Sequence, residues 1–209
     1  FFFASIAFFA NFMTSPTPTR QSIRKQLRTA RRALSSAQQK AAARGLARQL
    51  RKFLPVLRSK HIAFYLPNDG EIDPRPLIRF FERCGKQCYL PRLHADGSNR
   101  VWFVRYRSGE KLSDNRFGIP EPQVNQQQLP AWALQVVLMP LVGFDRSGNR
   151  LGMGGGFYDR TFAFKRSKPH SRPLLIGLAH SVQEVAALPT ESWDMPLDII
   201  ATEKELLRV

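Results

Sequence analysis

The sequence predicts an α/β fold: a three-layer α/β/α domain with N-terminal helices and a mostly parallel, Rossmann-like central sheet. Three observations carry that prediction. Apolar residues recur at helical spacing early in the chain, short β-branched runs recur after them, and a glycine-rich stretch follows the most apolar of those runs. Strands alternating with helices imply a parallel sheet covered on both faces.

In order along the chain, Ile23, Leu27, Ala30 and Leu34 mark a first helix, with Arg24, Lys25, Arg28, Arg31 and Arg32 on its other faces. Ser35 or Ser36 can cap a second helix carrying Ala43, Leu46, Leu50 and Leu54, which Pro55 is expected to end. The run from His61 to Leu66 reads as a buried strand. Pro74 suits the first turn of a helix through Cys84, with Gly85 as its stop. Gln87 to Leu90 and Val101 to Tyr106 read as strands separated by a turn at Asp96-Gly97. Leu134 to Met139 is the best candidate for a central strand, and Pro173 to Ala179 and Asp198 to Thr202 supply two more. No internal repeat or low-complexity block interrupts the pattern.

At 209 residues, 43% hydrophobic and 23% charged, the chain reads as one globular domain. Cys84 and Cys88, with no second pair, argue against zinc or a disulfide framework and fit a cytoplasmic enzyme. His61, His94, His170 and His180 read as structural or surface histidines, and Trp102, Trp132 and Trp193 as packing residues. Of the three tryptophans, Trp193 is the one placed to do more, because it adjoins Asp194.

The charge is unevenly placed. Formal net charge is +16, yet residues 1–68 hold thirteen Lys or Arg and no Asp or Glu. Such an arm suits an anionic partner: nucleic acid, a membrane surface or a polyphosphate. Ahead of it, residues 1–12 are almost wholly apolar, too few to span a bilayer, which takes about 20 residues, and without the basic flank of a secretion signal. Residues 1–19 are therefore expected to be a disordered or non-native extension, Met13 a plausible start, and residues 20–209 a single domain. No membrane association is expected.

Chemistry concentrates after the Leu134–Met139 run. Gly152, Gly154, Gly155 and Gly156 allow close backbone approach to phosphate oxygens. Phe157 to Phe164 reads as a helix whose N-terminus faces the same anion. Arg150 adds a fork-shaped cation, and Asp159 a hard oxygen ligand for Mg²⁺. No Lys-Ser/Thr follows the glycines and they come late in the chain, so the loop is neither a Walker A nor a dinucleotide fingerprint.

The run Gly143-Phe-Asp145, Gly148-Asn-Arg-Leu-Gly152, Gly154 and Gly156-Phe-Tyr-Asp-Arg160 resembles the signature of the 5-formyltetrahydrofolate cyclo-ligase family. Arg20-Gln-Ser-Ile-Arg24 resembles that family's basic N-terminal segment, Glu71-Ile-Asp73 its acidic motif, and Asn115 to Pro122 its middle loop. Asp194-Met-Pro-Leu-Asp198 and Ala201-Thr-Glu-Lys204 match its C-terminal end. The resemblance covers residues 20 to 209 with the motifs in order.

The resemblance implies conversion of 5-formyltetrahydrofolate and ATP to 5,10-methenyltetrahydrofolate, ADP and phosphate with Mg²⁺, by a monomer whose partners are small molecules. It implies nucleotide contacts from Arg20, Gln21, Ser22, Ile23 and Arg24, and from Arg150, Leu151, Gly152, Met153, Gly154, Gly155, Gly156, Phe157 and Tyr158. Arg150, Phe157 and Tyr158 are the expected catalytic contacts. Met153 to Phe157 would also touch folate, Leu66 and Glu71 the pterin, and Asp159 and Asp194 the metal. A carboxylate such as Glu71 suits a pterin, which presents two adjacent donors. The chain departs from the family at Gly155, where some members carry Lys, and at Phe157, often Tyr. Ser192-Trp193 stands where many bacterial members have His. Nucleic acid is not the expected partner, because that reading leaves the glycine run, Asp159 and the C-terminal acidic pair without a purpose. The rivals are a nucleic-acid-binding protein using the basic arm and another ATP- or phosphosugar-handling enzyme on a similar sheet.

Overall fold

The computed structural model describes residues 18–123, 127–168 and 171–209. The apolar run 1–12 and His170 lie outside the described residues. Helix α1 (Arg20–Arg32) starts where the Thr19 hydroxyl accepts the Ser22 N–H at 3.2 Å. Helix α2 (Ser36–Leu50) carries a reciprocal cap between Ser35 and Gln38. It ends at Leu50, earlier than the periodicity suggests. Pro55 instead enters the first turn of a separate short helix, α3 (Leu54–Arg58), where the missing N–H costs nothing.

Strand β1 (His61–Ala63) is shorter than the His61–Leu66 run, although Phe64 still donates its N–H to the Tyr89 carbonyl at 2.8 Å. Helix α4 (Arg75–Arg83) has Pro74 as its N-cap, with Pro76 in its first turn instead, and ends one residue before Cys84, ahead of Gly85, whose φ is +72°. Beyond it come β2 (Gln87–Leu93), β3 (Val101–Tyr106), β4 (Leu112–Asp114), β5 (Pro120–Pro122) and β6 (Gln128–Leu129). The chain continues through β7 (Val136–Pro140), β8 (Gly143–Phe144), β9 (Arg150–Leu151), α5 (Phe157–Thr161) and β10 (Leu174–Leu178). It closes with β11 (Ile199–Ala201) and β12 (Leu206–Arg208).

The main sheet has the order β12-β11-β10-β7-β1-β2-β3-β6. Its five central strands, β11 to β2, are parallel; β12, β3 and β6 join antiparallel at the edges. The mostly parallel α/β prediction therefore holds. The pleat divides each strand between two cores. Ile62, Val136, Leu138 and Ile176 face Leu46, Leu50, Leu77 and Phe81 from α2 and α4. Ala63, Val137, Met139 and Leu175 face Phe144, Phe162, Met195 and Leu197. That second face is closed by α5, 3-10 turns and loops rather than by long helices. Each fully buried Leu or Phe contributes about 1.5–3 kcal/mol. Helix α1 makes its own small core, setting Ile23 and Leu27 on Val142, Leu151 and Leu188.

The connections determine where ligands go. From β1 the chain moves to β2 on one side; from β7 it moves to β10 on the other. The loops leaving β1 and β7 therefore diverge, opening a crevice at the carboxyl ends of those neighbouring strands, where parallel sheets bind ligands.

Candidate active site

One wall of the crevice is the segment after β7. Asp145 is buried and shapes its hairpin: Oδ1 accepts the Ser147 and Asn149 N–H groups, both at 3.0 Å, and Oδ2 accepts the Leu188 N–H at 3.0 Å. Gly143 lets α1 close on this hairpin, since a Cβ there would lie 2.3 Å from Leu27 Cδ1. The glycine run follows, with φ of +100° at Gly154 and +65° at Gly156, angles that L side chains rarely adopt. The N–H groups of residues 152 to 156 donate to no backbone carbonyl among the described residues, so they remain free for an anion. The helix behind them is shorter than the expected Phe157–Phe164. Phe162 leaves helical geometry, and the Thr161 hydroxyl donates to Phe157 O at 2.7 Å while accepting the Val101 N–H at 3.0 Å.

Three arginines converge here. Arg150 is buried; its Nε donates to the Met195 carbonyl at 2.9 Å and its Nη2 to Asp159 Oδ1. Arg24 donates from Nε to the Gly152 carbonyl at 2.8 Å, and burial together with Arg20 and Arg28 lowers its pKa. Arg20 grips Asp194 with both Nη atoms, at 2.5 and 3.1 Å. Burial pushes the Asp194 carboxyl upward, but that fork and the Glu191 N–H outweigh it and hold the pKa low.

The opposite wall is the loop after β1. Tyr65 donates its hydroxyl to the Ile72 carbonyl at 2.6 Å. Asp69 sits at φ +52° and receives Arg28, Arg31 and Arg32 together. Burial opposes its charge, yet the three guanidinium groups bring its pKa down to about 2. Arg31 has no exposed surface: Nε donates to Asp69 O at 2.8 Å, Nη2 to Asp69 Oδ2 at 2.7 Å, and Nη1 to Leu141 O at 3.2 Å. It therefore ties the loop after β1 to the loop after β7. Glu71 is almost enclosed; its Oε2 accepts the Asn68 N–H at 3.1 Å and its Oε1 lies 3.9 Å from Arg31 Nη2. Burial dominates and raises its carboxyl to about 7. Burial likewise raises the Tyr158 phenol well above its usual range.

A third segment roofs the crevice. Glu121 is buried and accepts the Leu93 N–H at 2.9 Å and the Asn115 side-chain N–H at 2.7 Å. The turn it braces leaves Phe117 exposed, edge-on to Phe157 with ring centroids 5.9 Å apart. The three walls enclose a cavity of about 830 Å³.

Most residues singled out from the sequence line this cavity: Arg20, Arg24, Leu66, Glu71, Arg150, Gly152, Met153, Gly154, Gly155, Gly156, Phe157, Tyr158, Asp159 and Asp194. Gln21, Ser22, Ile23 and Leu151 do not. Ile23 and Leu151 are packed in the α1 core, and Gln21 and Ser22 face solvent. The structure adds Tyr65, Phe117, Ile119, Glu121, Arg166 and Trp193 to the lining. The Asn115–Pro122 motif and the place of Trp193 beside Asp194 were the available signals for these. Cys88 is buried, its thiol pushed up to about 12 by burial, and takes no part. His61 places Nδ1 2.9 Å from the Tyr89 hydroxyl, and His180 is buried with Nε2 3.2 Å from Gly70 O, both structural placements.

No group of three or more His, Cys, Asp or Glu side chains is poised for a metal among the described residues. Mg²⁺ needs only one or two carboxylates beside phosphate. Asp159 uses Oδ1 for Arg150 and the Met195 N–H, with Oδ2 accepting no hydrogen bond from the described residues. Asp194 is more committed, with both oxygens held by Arg20.

Unspent backbone donors and clustered guanidinium groups on one wall, facing a half-apolar slot with an enclosed acid, are features of an α/β enzyme site suited to an anion beside a second, less polar group. Comparison with known proteins resolves which one. The chain belongs to the 5-formyltetrahydrofolate cyclo-ligase family, whose model matches residues 16–203, and so to the ligases of folate one-carbon metabolism. The 5-formyltetrahydrofolate cyclo-ligase of Haemophilus influenzae is 41% identical over 87% of this chain and 96% of its own. That of Escherichia coli K12 is 39% identical over 86% and 98%. Among solved structures, 5,10-methenyltetrahydrofolate synthetase from Aquifex aeolicus superposes with a TM-score of 0.77 at 30% identity, covering 90% of this chain and 92% of that one. Among the described residues, no helix is long and apolar enough to cross a membrane.

Proposed function

We propose that the crevice joins 5-formyltetrahydrofolate to ATP chemistry, closing the ring to 5,10-methenyltetrahydrofolate and releasing ADP and phosphate in the cytoplasm. The observation that carries this reading is the two-sided cavity. The glycine run with Arg20, Arg24 and Arg150 suits a triphosphate, and Leu66, Tyr65 and Glu71 suit a pterin.

The formyl oxygen on N5 attacks the γ-phosphorus, a P–O bond forms, and the bond to ADP breaks. The activated carbon then accepts the N10 lone pair; its C–O bond breaks, phosphate departs, and N10 loses its proton to solvent. Positioning and charge neutralisation suffice for such steps, without a protein nucleophile. The free N–H groups of residues 152 to 156 receive phosphate oxygens, and Arg150, fixed by Met195 and Asp159, meets the charge that develops on transfer. Phe157 and Phe117 close the crevice against water. Glu71 accepts the pterin's donors. Asp159, through its free Oδ2, would hold Mg²⁺, and Asp194 would be its second carboxylate ligand. When bound, that ion neutralises phosphate charge.

The test is turnover of 5-formyltetrahydrofolate with MgATP, followed by the near-ultraviolet absorbance of the methenyl product and by ADP release. Product must require ATP and be abolished by chelating Mg²⁺, and Arg150→Ala must lower kcat/KM by about 10- to 150-fold or more, the loss of one charged hydrogen-bonding group. Folded, nucleotide-binding protein that makes no product would refute the reading.

A further inference from the structure

The acid-free arm is only partly used by the crevice. Of its cations, Arg20 is held by Asp194, Arg24 by the Gly152 carbonyl, and Arg28, Arg31 and Arg32 by Asp69. Lys40, Arg44 and Arg48 stand at intervals of four along α2, all exposed. None of the three pairs with a carboxylate among the described residues. Helix α4 lies beside α2 on the same face of the sheet, sharing its apolar core, and exposes Arg79 and Arg83 without a carboxylate partner in the same sense. The acids next to them are already engaged: Glu82 accepts Ser108 N–H and hydroxyl at 2.8 and 2.5 Å, and Asp73 holds Arg75. This layer contributes no side chain to the 830 Å³ cavity.

We infer that the outer face of α2 and α4 is a second binding surface, for the phosphate backbone of a nucleic-acid duplex, independent of sequence and of the cyclo-ligase site. The row from Lys40 to Arg48 spans about 12 Å of rigid helix. A duplex presents on the order of seven phosphate charges along that length. An acidic membrane is a poorer match. A helix that lies in a bilayer interface must offer it an apolar face, and the apolar face of α2, with Ala42, Ala43, Leu46, Ala47 and Leu50, is buried against the sheet. Other exposed residues on the first half of α2, Ala37, Gln38 and Ala41, are small or polar. From sequence alone, nucleic acid and nucleotide compete for one basic arm. In the fold they are separated: α1 turns Arg20 and Arg24 to the crevice and Arg28, Arg31 and Arg32 to Asp69, while α2 turns its own cations to solvent.

The experiment is fluorescence anisotropy of a labelled 16-base-pair duplex with the full chain between 50 and 200 mM salt, using two unrelated sequences. Five neutralised phosphates give a log–log salt slope of about −4.5, so affinity should fall roughly 500-fold over that range, equally for both sequences. Replacing Lys40, Arg44 and Arg48 with Gln, which preserves helix propensity, should reduce the slope to about −1.8 and the loss to roughly 12-fold. Arg79→Gln with Arg83→Gln should separately reduce the slope by about 1.8. Cyclo-ligase turnover of both variants should match the parent, which reports their folding independently of duplex binding. No binding at 50 mM salt would overturn the inference. So would a slope that neither variant changes, or preferential binding to phosphatidylserine vesicles over duplex.

Discussion

Replacing Arg31 with Met should destabilise the whole protein and loosen the folate side of its crevice. Arg31 is the largest fully buried side chain, and its three donor atoms bond to Asp69 O, Asp69 Oδ2 and Leu141 O. Methionine fills much of the volume but donates nothing. Leu141 O keeps the Gln183 amide at 2.7 Å, so that acceptor is not orphaned. Asp69 keeps Arg28 and Arg32 but loses the one guanidinium that bridges its carbonyl and carboxylate. Removing one partner of a buried charge pair costs about 3–5 kcal/mol, and the surviving arginines place Arg31→Met near the lower end. At about 2–4 °C per kcal/mol for a chain of this size, Tm should drop by roughly 6–12 °C. Thermal unfolding by circular dichroism, with Arg28→Met as control, measures it; Arg28 is about a third exposed and should cost under about 1 kcal/mol. Kinetics supply the second readout. Because the Asp69 turn carries Glu71, KM for the folate should rise more than KM for ATP. A variant no less stable than Arg28→Met, with both KM values unchanged, would refute the bridging role.

Three further outcomes follow from the same geometry. Glu71 has a folded pKa near 7 against 4.5 when unfolded, so its contribution is fully present below about pH 4.5 and is lost as pH rises through 7. Glu71→Gln should therefore remove on the order of 3 kcal/mol of that decline, visible in urea midpoints at pH 5 and 8, and should raise the folate KM; identical pH profiles would count against an enclosed acid. Gly156→Ala forces a side chain onto φ +65° with its Cβ 2.7 Å from Arg160 Nη1, and should cost about 1–2 kcal/mol while weakening nucleotide binding. Isothermal titration with a non-hydrolysable ATP analogue checks this, and unchanged affinity would separate the loop from the phosphates. Asp194→Asn should free Arg20 from its ionic fork, raising the Mg²⁺ concentration needed for half-maximal turnover more than KM for ATP; an unaltered Mg²⁺ titration would remove Asp194 from the metal site.

The sequence alone determined the elements whose cause is local. Helical spacing and caps located α1, α2 and α4, and continuous apolar runs located β7 and β10, because the periodicity of burial is written directly in residue order. The glycine run, Arg150 and Asp159 were legible for the same reason: they lie within ten residues and act together. Where competing local signals met, the tertiary structure chose. Pro55 began a helix instead of ending one, and α5 stopped after five residues because Thr161 is tied to β3. The partners of the charged groups were beyond sequence. Arg20 finds Asp194 174 residues away, Arg31 finds Leu141 at a separation of 110, and Arg28, Arg31 and Arg32 share one Asp69. Which cations of the basic arm serve the crevice and which face solvent depends on how α1 and α2 pack on the sheet. Spacing along a chain records which face a residue occupies; only the packed sheet brings that face against another, and ion pairing and burial are set there.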